Sequence, residues 1–306
     1  MGQVQSGIIR MVAYFDMFDH PLTTAELTRL LAPGEEGLMI RACGELVDKG
    51  MISEQQGFWF RAGRADTLPI RAERVAYGTR AWNTVERSSR ILAELPFVRG
   101  VFLTGSLSKG CSEPQGDVDF LLLVETGRVW CLKSMTEAVR KVAPVQIRRA
   151  FCTNYLRDLA SLDLQEKNLF TAVELATAVP MYGPQACRLF LESNRWAETF
   201  VPGWRWSEER AGNARPLPSR RAVNSLERWF HGAWADRVEG RLMDRWDAYW
   251  EHKYGYLDDG TRKKSFRREV GVATNHLTDF QGKVLSRVAT TMSELGVSEP
   301  VVWERT

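Results

Sequence analysis

At 306 residues, 44% hydrophobic and 26% charged, the chain is long enough to bury more than one core, which excludes the disordered and fibrous classes. No run approaches the roughly 18 consecutive apolar residues that a bilayer span needs, and the opening MGQVQSGIIRMVAYFD lacks the charge, apolar run and cleavage site of a signal peptide, so a soluble, cytoplasmic protein with no membrane partner is expected. A net charge of +3 does not by itself mark a nucleic-acid binder, and the scattered Cys43, Cys111, Cys131, Cys152 and Cys187, with no CxxC spacing, argue against structural zinc and a disulfide framework.

In chain order, Ile8, Ile9, Val12 and Phe15 recur at helical spacing and predict a first helix. A second helix begins after Thr23, the expected N-cap, with Glu26 as its capping-box partner. A third is expected from about Glu36 to Lys49, with Leu38, Met39, Ala42, Leu46 and Val47 toward the core, ending at Gly50. Two short strands around Ile52 and Phe58 follow, joined by a polar turn. Three helices and a hairpin resemble a winged helix-turn-helix domain, which implies DNA binding through the third helix. That helix carries Arg41 and Lys49 against Glu35, Glu36, Glu45 and Asp48, a balance that favours a protein-contact or substrate-presenting role.

From Arg71 to Leu95 an arginine-rich amphipathic helix is predicted, with Val75, Trp82, Val85, Leu92 and Leu95 as its apolar positions. Eight arginines stand against four acids between Phe60 and Gly100, and Arg262, Lys263, Lys264, Arg267 and Arg268 form a second basic cluster; both read first as solvated faces. Strands are expected over Val98 to Thr104, Asp117 to Val124 and within Val145 to Leu156, with a helix over Lys133 to Lys141. Helices are then expected at Thr171 to Thr177, ending near Pro180, and from Pro184 to Asn194. An extended connection follows over Pro202 to Ser219, and two or three long helices over Arg221 to about Tyr254 and Arg267 to Leu295. Trp229, Trp234, Trp246 and Trp250 in the first of these are expected to be core or interface residues.

The chemistry concentrates in VFLTGSLSKG, from Val101 to Gly110, and GDVDFLLL, from Gly116 to Leu123. A strand delivers Gly105 and Ser106 to a short helix, and a second strand opens with Asp117 and Asp119. Side chains alternate along a strand, so the two carboxylates share a face while Val118 and Phe120 share the other. Adjacent carboxylates repel unless a cation lies between them, and Mg²⁺, or Mn²⁺ in its place, takes such oxygen ligands together with water and phosphate. Gly105 allows close backbone approach, Ser106 offers a hydroxyl to phosphate, and Lys109, one turn on, is within reach of a triphosphate.

An apolar strand, Gly-Ser, a spacer and Asp-apolar-Asp resemble the GS…DxD pattern of the polymerase β nucleotidyltransferase superfamily. The resemblance implies nucleotide binding by Gly105 and Ser106 and metal ligation by Asp117 and Asp119. It further implies a third carboxylate from a later strand. The first expected place, Val145-Gln146-Ile147, holds glutamine; Asp163 in Leu162-Asp163-Leu164 has the right local form, Asp158 and Glu166 are alternatives, and Asn154 is a candidate cleft residue.

The expected fold class is α+β. A winged-helix-like domain at 1–66 and a connecting helix at 67–96 precede a small mixed-sheet nucleotidyltransferase core at 97–166 and a helical C-terminal domain at 167–306. The expected function is metal-dependent transfer of a nucleoside monophosphate from an NTP to a small-molecule, protein or nucleic-acid acceptor, with release of pyrophosphate. The alternative is a DNA-binding regulator that uses a catalytically weak domain of this type as a nucleotide sensor.

Overall fold

The computed structural model describes residues 2–142, 149, 151–258, 260, 268–274 and 280–302. Gln146, Arg262, Lys263, Lys264 and Arg267 lie outside the described residues, as does the side chain of Asn154. The fold is mixed α+β, and among the described residues no helix is long and apolar enough to cross a membrane.

The chain opens with α1 (Gln3–Asp16), a short strand β1 (Leu22–Thr23), α2 (Thr24–Leu31), α3 (Glu36–Asp48) and the hairpin β2 (Ile52–Gln55) and β3 (Phe58–Arg61). The capping box forms as expected: the Glu26 backbone N–H donates to Thr23 Oγ1 at 3.2 Å, and the Thr23 N–H donates to Glu26 Oε2 at 2.8 Å. The buried stripe of α3 is Met39, Ala42, Cys43 and Leu46, so Val47, expected in the core, is exposed. β1 adds to β3 to give a three-stranded antiparallel sheet in the order β1-β3-β2.

α4 (Thr67–Glu94) is a 28-residue helix. Val75 and Trp82 are exposed on it, contrary to the apolar pattern, and its inward face runs through Arg71, Gly78, Val85 and Leu92 at intervals of seven. Arginine and glycine occupy that face because of what they meet. A side chain at Gly78 would run into the carbonyl oxygen of Gly110, and Arg71 donates to Glu26 Oε1 at 2.7 Å and to Cys111 Sγ at 3.1 Å. α4 therefore fastens the N-terminal helices to the loop that follows Gly105-Ser106. Glu26 is held down to about 2: burial would raise it, but His20, Arg71 and the Thr23 N–H stabilise the carboxylate more strongly.

A six-stranded sheet follows, in the order β7-β4-β5-β6-β9-β8, from β4 (Val98–Leu103), β5 (Asp119–Val124), β6 (Cys152–Asp158), β7 (Val179–Tyr182), β8 (Arg268–Glu269) and β9 (Val272–Thr274). β5 and β6 are parallel, joined through α5 (Val129–Val142); the other pairings are antiparallel. Pro180, expected to end a helix, lies in β7, an edge strand where a missing N–H is tolerated. The stretch Arg267 to Leu295, expected to be helical, contains β8, β9 and α11 (Phe280–Glu294).

Both faces of the sheet are covered, which explains the unbroken apolar run of β5. Phe102, Leu121 and Leu123 pack toward α1, α2, α3, α11 and the helices α6 (Leu169–Thr177), α7 (Pro184–Ser193) and α8 (Trp204–Ala211). Val101, Leu103, Phe120, Leu122 and Val124 pack toward α4, α5 and α10 (Gly232–Tyr254). α8 lies inside the stretch expected to be an extended connection; its Trp204 is fully buried. The helical stretch expected from Arg221 to about Tyr254 is two helices, α9 (Arg221–Trp229) and α10, separated at Phe230–His231. Of its tryptophans, Trp250 is core whereas Trp229 and Trp234 face solvent.

Candidate active site

The ladder between β4 and β5 brings the two halves of the GS…DxD sequence together. Leu103 pairs with Phe120, and the Thr104 N–H donates to the Asp119 carbonyl at 2.9 Å, so the next residue, Gly105, leaves the strand directly beside the Asp119 side chain. Gly105 has φ 68° and ψ −155°, a conformation closed to residues with a side chain. A Cβ there would also come within 2.6 Å of Asp119 Oδ2. Glycine is required at this position for its backbone and for the space that the carboxylate takes.

Ser106, exposed, opens a single 3-10 turn, Ser106–Lys109, closed by Gly110 in the left-handed region. The turn is shorter than the expected helix. Its serine Ser108 Oγ donates back to the Gly105 carbonyl at 2.8 Å. Lys109 also folds back: its ammonium donates to the Gly105 carbonyl at 3.1 Å and pairs with Glu174 at 2.9 Å.

β5 begins at Asp119, two residues later than expected, but the alternation extends upstream of it. Val118 and Phe120 are buried, Asp119 is partly buried and Asp117 is exposed. Asp119 shares its face with Leu121 and Leu123, the face that α1 and α6 cover. Its carboxyl is pushed up to about 6, first by burial and further by the negative charges of Asp117 and Glu174. A hydrogen bond with Cys152 and the Lys109 charge oppose the rise without cancelling it. Cys152 is the direct partner of Asp119 in the parallel register with β6.

Of the acids expected to complete the site, Asp158 is placed away from Asp119 by the strand register. Asp158 closes β6 opposite Val124, at the far end of the strand from Asp119, and accepts the backbone N–H groups of Gly127 at 3.0 Å and Ala160 at 3.1 Å. Asp163 and Glu166 follow in the connection to α6; Asp163 is 47% exposed and pairs with Lys167 at 3.1 Å. Glu174 of α6 is one of the negative charges that raise the Asp119 carboxyl.

Glu174 was not singled out in the sequence, although a signal was present: it is the one charged residue in LFTAVELAT, a helix otherwise without charge. A lone acid on such a helix has to be held by something. Here its holders are Lys109 and Tyr14, whose hydroxyl donates to Glu174 Oε1 at 3.0 Å. Tyr14 is fully buried on α1, and burial together with the Glu174 charge raises its pKa well above the usual value, so the phenol remains a donor. The N-terminal helices thus supply a polar group to the same cluster as the carboxylate pair.

Among the described residues no group of three or more His, Cys, Asp or Glu side chains is arranged to hold a metal. The cluster is instead two carboxylates on one face, a third held by a lysine and a tyrosine, and a glycine that leaves the approach open. Comparison of the chain with protein-family models, with curated proteins and with solved structures gave no match.

Proposed function

We propose that the chain is a metal-dependent nucleotidyltransferase, moving a nucleoside monophosphate from an NTP to an acceptor hydroxyl. The observation that carries this reading is geometric: the ladder between β4 and β5 sets Gly105 against the Asp119 carboxyl, which shares a face with Asp117 and is pushed up to about 6, first by burial and then by the charges of Asp117 and Glu174. Such concentrated, poorly compensated negative charge disfavours itself unless a cation joins it. The donor set fits a hard divalent ion: two carboxylate ligands suit Mg²⁺, which fills its shell with water and substrate phosphates. Bound at Asp117 and Asp119, the ion would supply charge stabilisation to the triphosphate and the leaving pyrophosphate.

The remaining roles belong to the chain. Gly105 keeps the floor beside Asp119 free of side-chain atoms, and Ser106 presents a hydroxyl to phosphate. Lys109, which lies against the Gly105 carbonyl and Glu174, would offer its charge to the triphosphate in competition with Glu174. Released from Lys109, Glu174 is the group that can take the proton of the attacking hydroxyl as the new O–P bond forms and the bond to pyrophosphate breaks. Tyr14 keeps the Glu174 carboxylate oriented. The test is incubation with each α-labelled NTP and Mg²⁺, with and without cell extract, for the wild type, D117N, D119N and E174Q. Label carried to an acceptor by the wild type alone supports the reading; transfer undiminished in D119N rejects it.

A further inference from the structure

The far end of the same strands carries a cleft that Asp117 and Asp119 do not use. Because β4 and β5 are antiparallel, Leu103 and Phe120 mark one end of the pair while Val98 and Val124 mark the other. With a rise of roughly 3.3 Å per residue, the two ends stand about 17 Å apart. Between the start of β4, the turn after β5 and helix α9 opens a cavity of about 780 Å³, within the size range of small-molecule sites.

The cations of this cleft fall into two sets. Arg99 is committed to Glu125 at 2.7 Å and Glu227 at 2.8 Å, and Arg128 to Asp236 at 2.9 Å. These pairs build the walls. Arg221 and Arg228 line the same cleft, are exposed, and have no acidic partner among the described residues; Arg228 donates to Ser225 Oγ at 3.1 Å. Seven residues apart on one helix, they point the same way. Two guanidinium groups on one face of a cleft suit the oxygens of a phosphate.

A second observation concerns rings. Phe230 lines the cleft, and Trp234 packs edge-on against it with centroids 5.0 Å apart. Trp234 lies outside the lining itself and is 55% exposed, so its free surface borders the cleft through Phe230. A large aromatic surface left in water at the border of a cleft that holds two exposed guanidinium groups matches a ligand that is anionic at one end and flat at the other.

We propose that this cleft binds a nucleoside monophosphate unit, with its phosphate on Arg221 and Arg228 and its base against Trp234 and Phe230. A free nucleotide and the 5′-phosphorylated end of a single strand present this same chemistry. The test titrates the full-length protein in EDTA and low salt with AMP, with inorganic phosphate and with 5′-phosphorylated hexathymidylate, followed by tryptophan fluorescence and calorimetry. AMP is expected to bind about tenfold more tightly than inorganic phosphate, since the ring contributes by stacking. It is expected to weaken by about tenfold or more in R221A/R228A, which loses the charged hydrogen bonds, and to keep its affinity in D117N/D119N.

Hexathymidylate binding more tightly than AMP assigns the strand end; equal or weaker binding assigns the free nucleotide. The proposal is overturned if AMP binding survives in R221A/R228A, if inorganic phosphate matches AMP, or if none of the three probes binds. Circular dichroism of R221A/R228A, whose substituted residues are exposed, checks that the fold is retained. Since every arm runs without divalent metal or turnover, failure here is separable from failure of the transferase reading.

Discussion

Asp119 and Glu227 are two carboxylates held against the same pair of strands, one at each end. For both, burial acts to raise the pKa. At Glu227 the fork of Arg99, the Phe97 N–H and the charge of Arg220 more than offset that effect, and the carboxyl is held below its usual range. At Asp119 one hydrogen bond from Cys152 and a lysine shared with Glu174 do not offset it, and two neighbouring carboxylates add to it. A buried acid whose partners are complete serves the fold. One whose surroundings add to its own charge is held in place by the rest of the structure, the setting in which the proposed metal-binding role of Asp119 arises.

The sharpest way to break the comparison is to neutralise each acid in turn. D119N is expected to lower turnover of the proposed transferase reaction by about a thousandfold, equivalent to roughly 4 kcal/mol of transition-state stabilisation, with the circular dichroism unchanged. E227A is expected to leave the carboxylate site intact and to cost about 3 kcal/mol of stability in urea unfolding, because Arg99 stays partly buried and loses its second acid. A stable E227A, or a D119N that unfolds, would reverse the assignment of the two residues.

Stability against pH separates them next. Asp119 in the folded chain titrates near 6, above its unfolded value, so the folded state holds the proton more tightly. Its favourable contribution is therefore complete below about pH 4 and is lost as pH rises through about 6. In the metal-free protein, D119N should be more stable than the wild type at pH 8 by about 1–2 kcal/mol, a figure reduced for the partial solvation of the group, and should show no advantage at pH 4. Added Mg²⁺ should shrink the difference at pH 8 by stabilising the wild type. Glu227 has the opposite sign: its contribution is present at neutral pH and fades as pH falls through its lowered folded value.

The smallest effect sharpens the role of the N-terminal helices. Y14F removes one hydrogen bond to Glu174 and retains the ring. It is expected to cost about 1 kcal/mol or slightly more in stability and to lower turnover by about tenfold with the nucleotide KM unchanged. An unaltered pH profile of turnover in Y14F would separate the tyrosine from the reaction.

How far the site was legible follows from how its parts are encoded. Gly105, Ser106, Asp117 and Asp119 sit in two consecutive segments, so alternation along one strand and a turn before the other were enough to place the carboxylates on one face. Thr23 and Glu26 were legible for the same reason, a spacing of three within one helix. Glu174 and Tyr14 meet Lys109 only because α1 and α6 cover the same sheet face, a fact carried by no local spacing. The inward face of α4 was misread because Arg71 and Gly78 are inward for specific contacts, to Glu26 and to the Gly110 backbone, and not for their hydrophobicity. Trp204 was assigned to a connection since prolines and arginines around it obscured one short buried helix.

The order of strands also sets an order of assembly. β6, the neighbour of the Asp119 strand, is covered on its other edge by β9, and α11 packs against α1, so the first and last described helices are joined. During synthesis β4, β5 and β6 are made long before β9 emerges, and until then β6 presents an open edge able to pair with another chain. Chains halted before residue 272 should therefore associate through that edge, and the cluster around Tyr14 and Glu174 should set only once α11 closes over α1. For this protein the helix at Phe280–Glu294 governs when the helix at Gln3–Asp16 acquires its final packing.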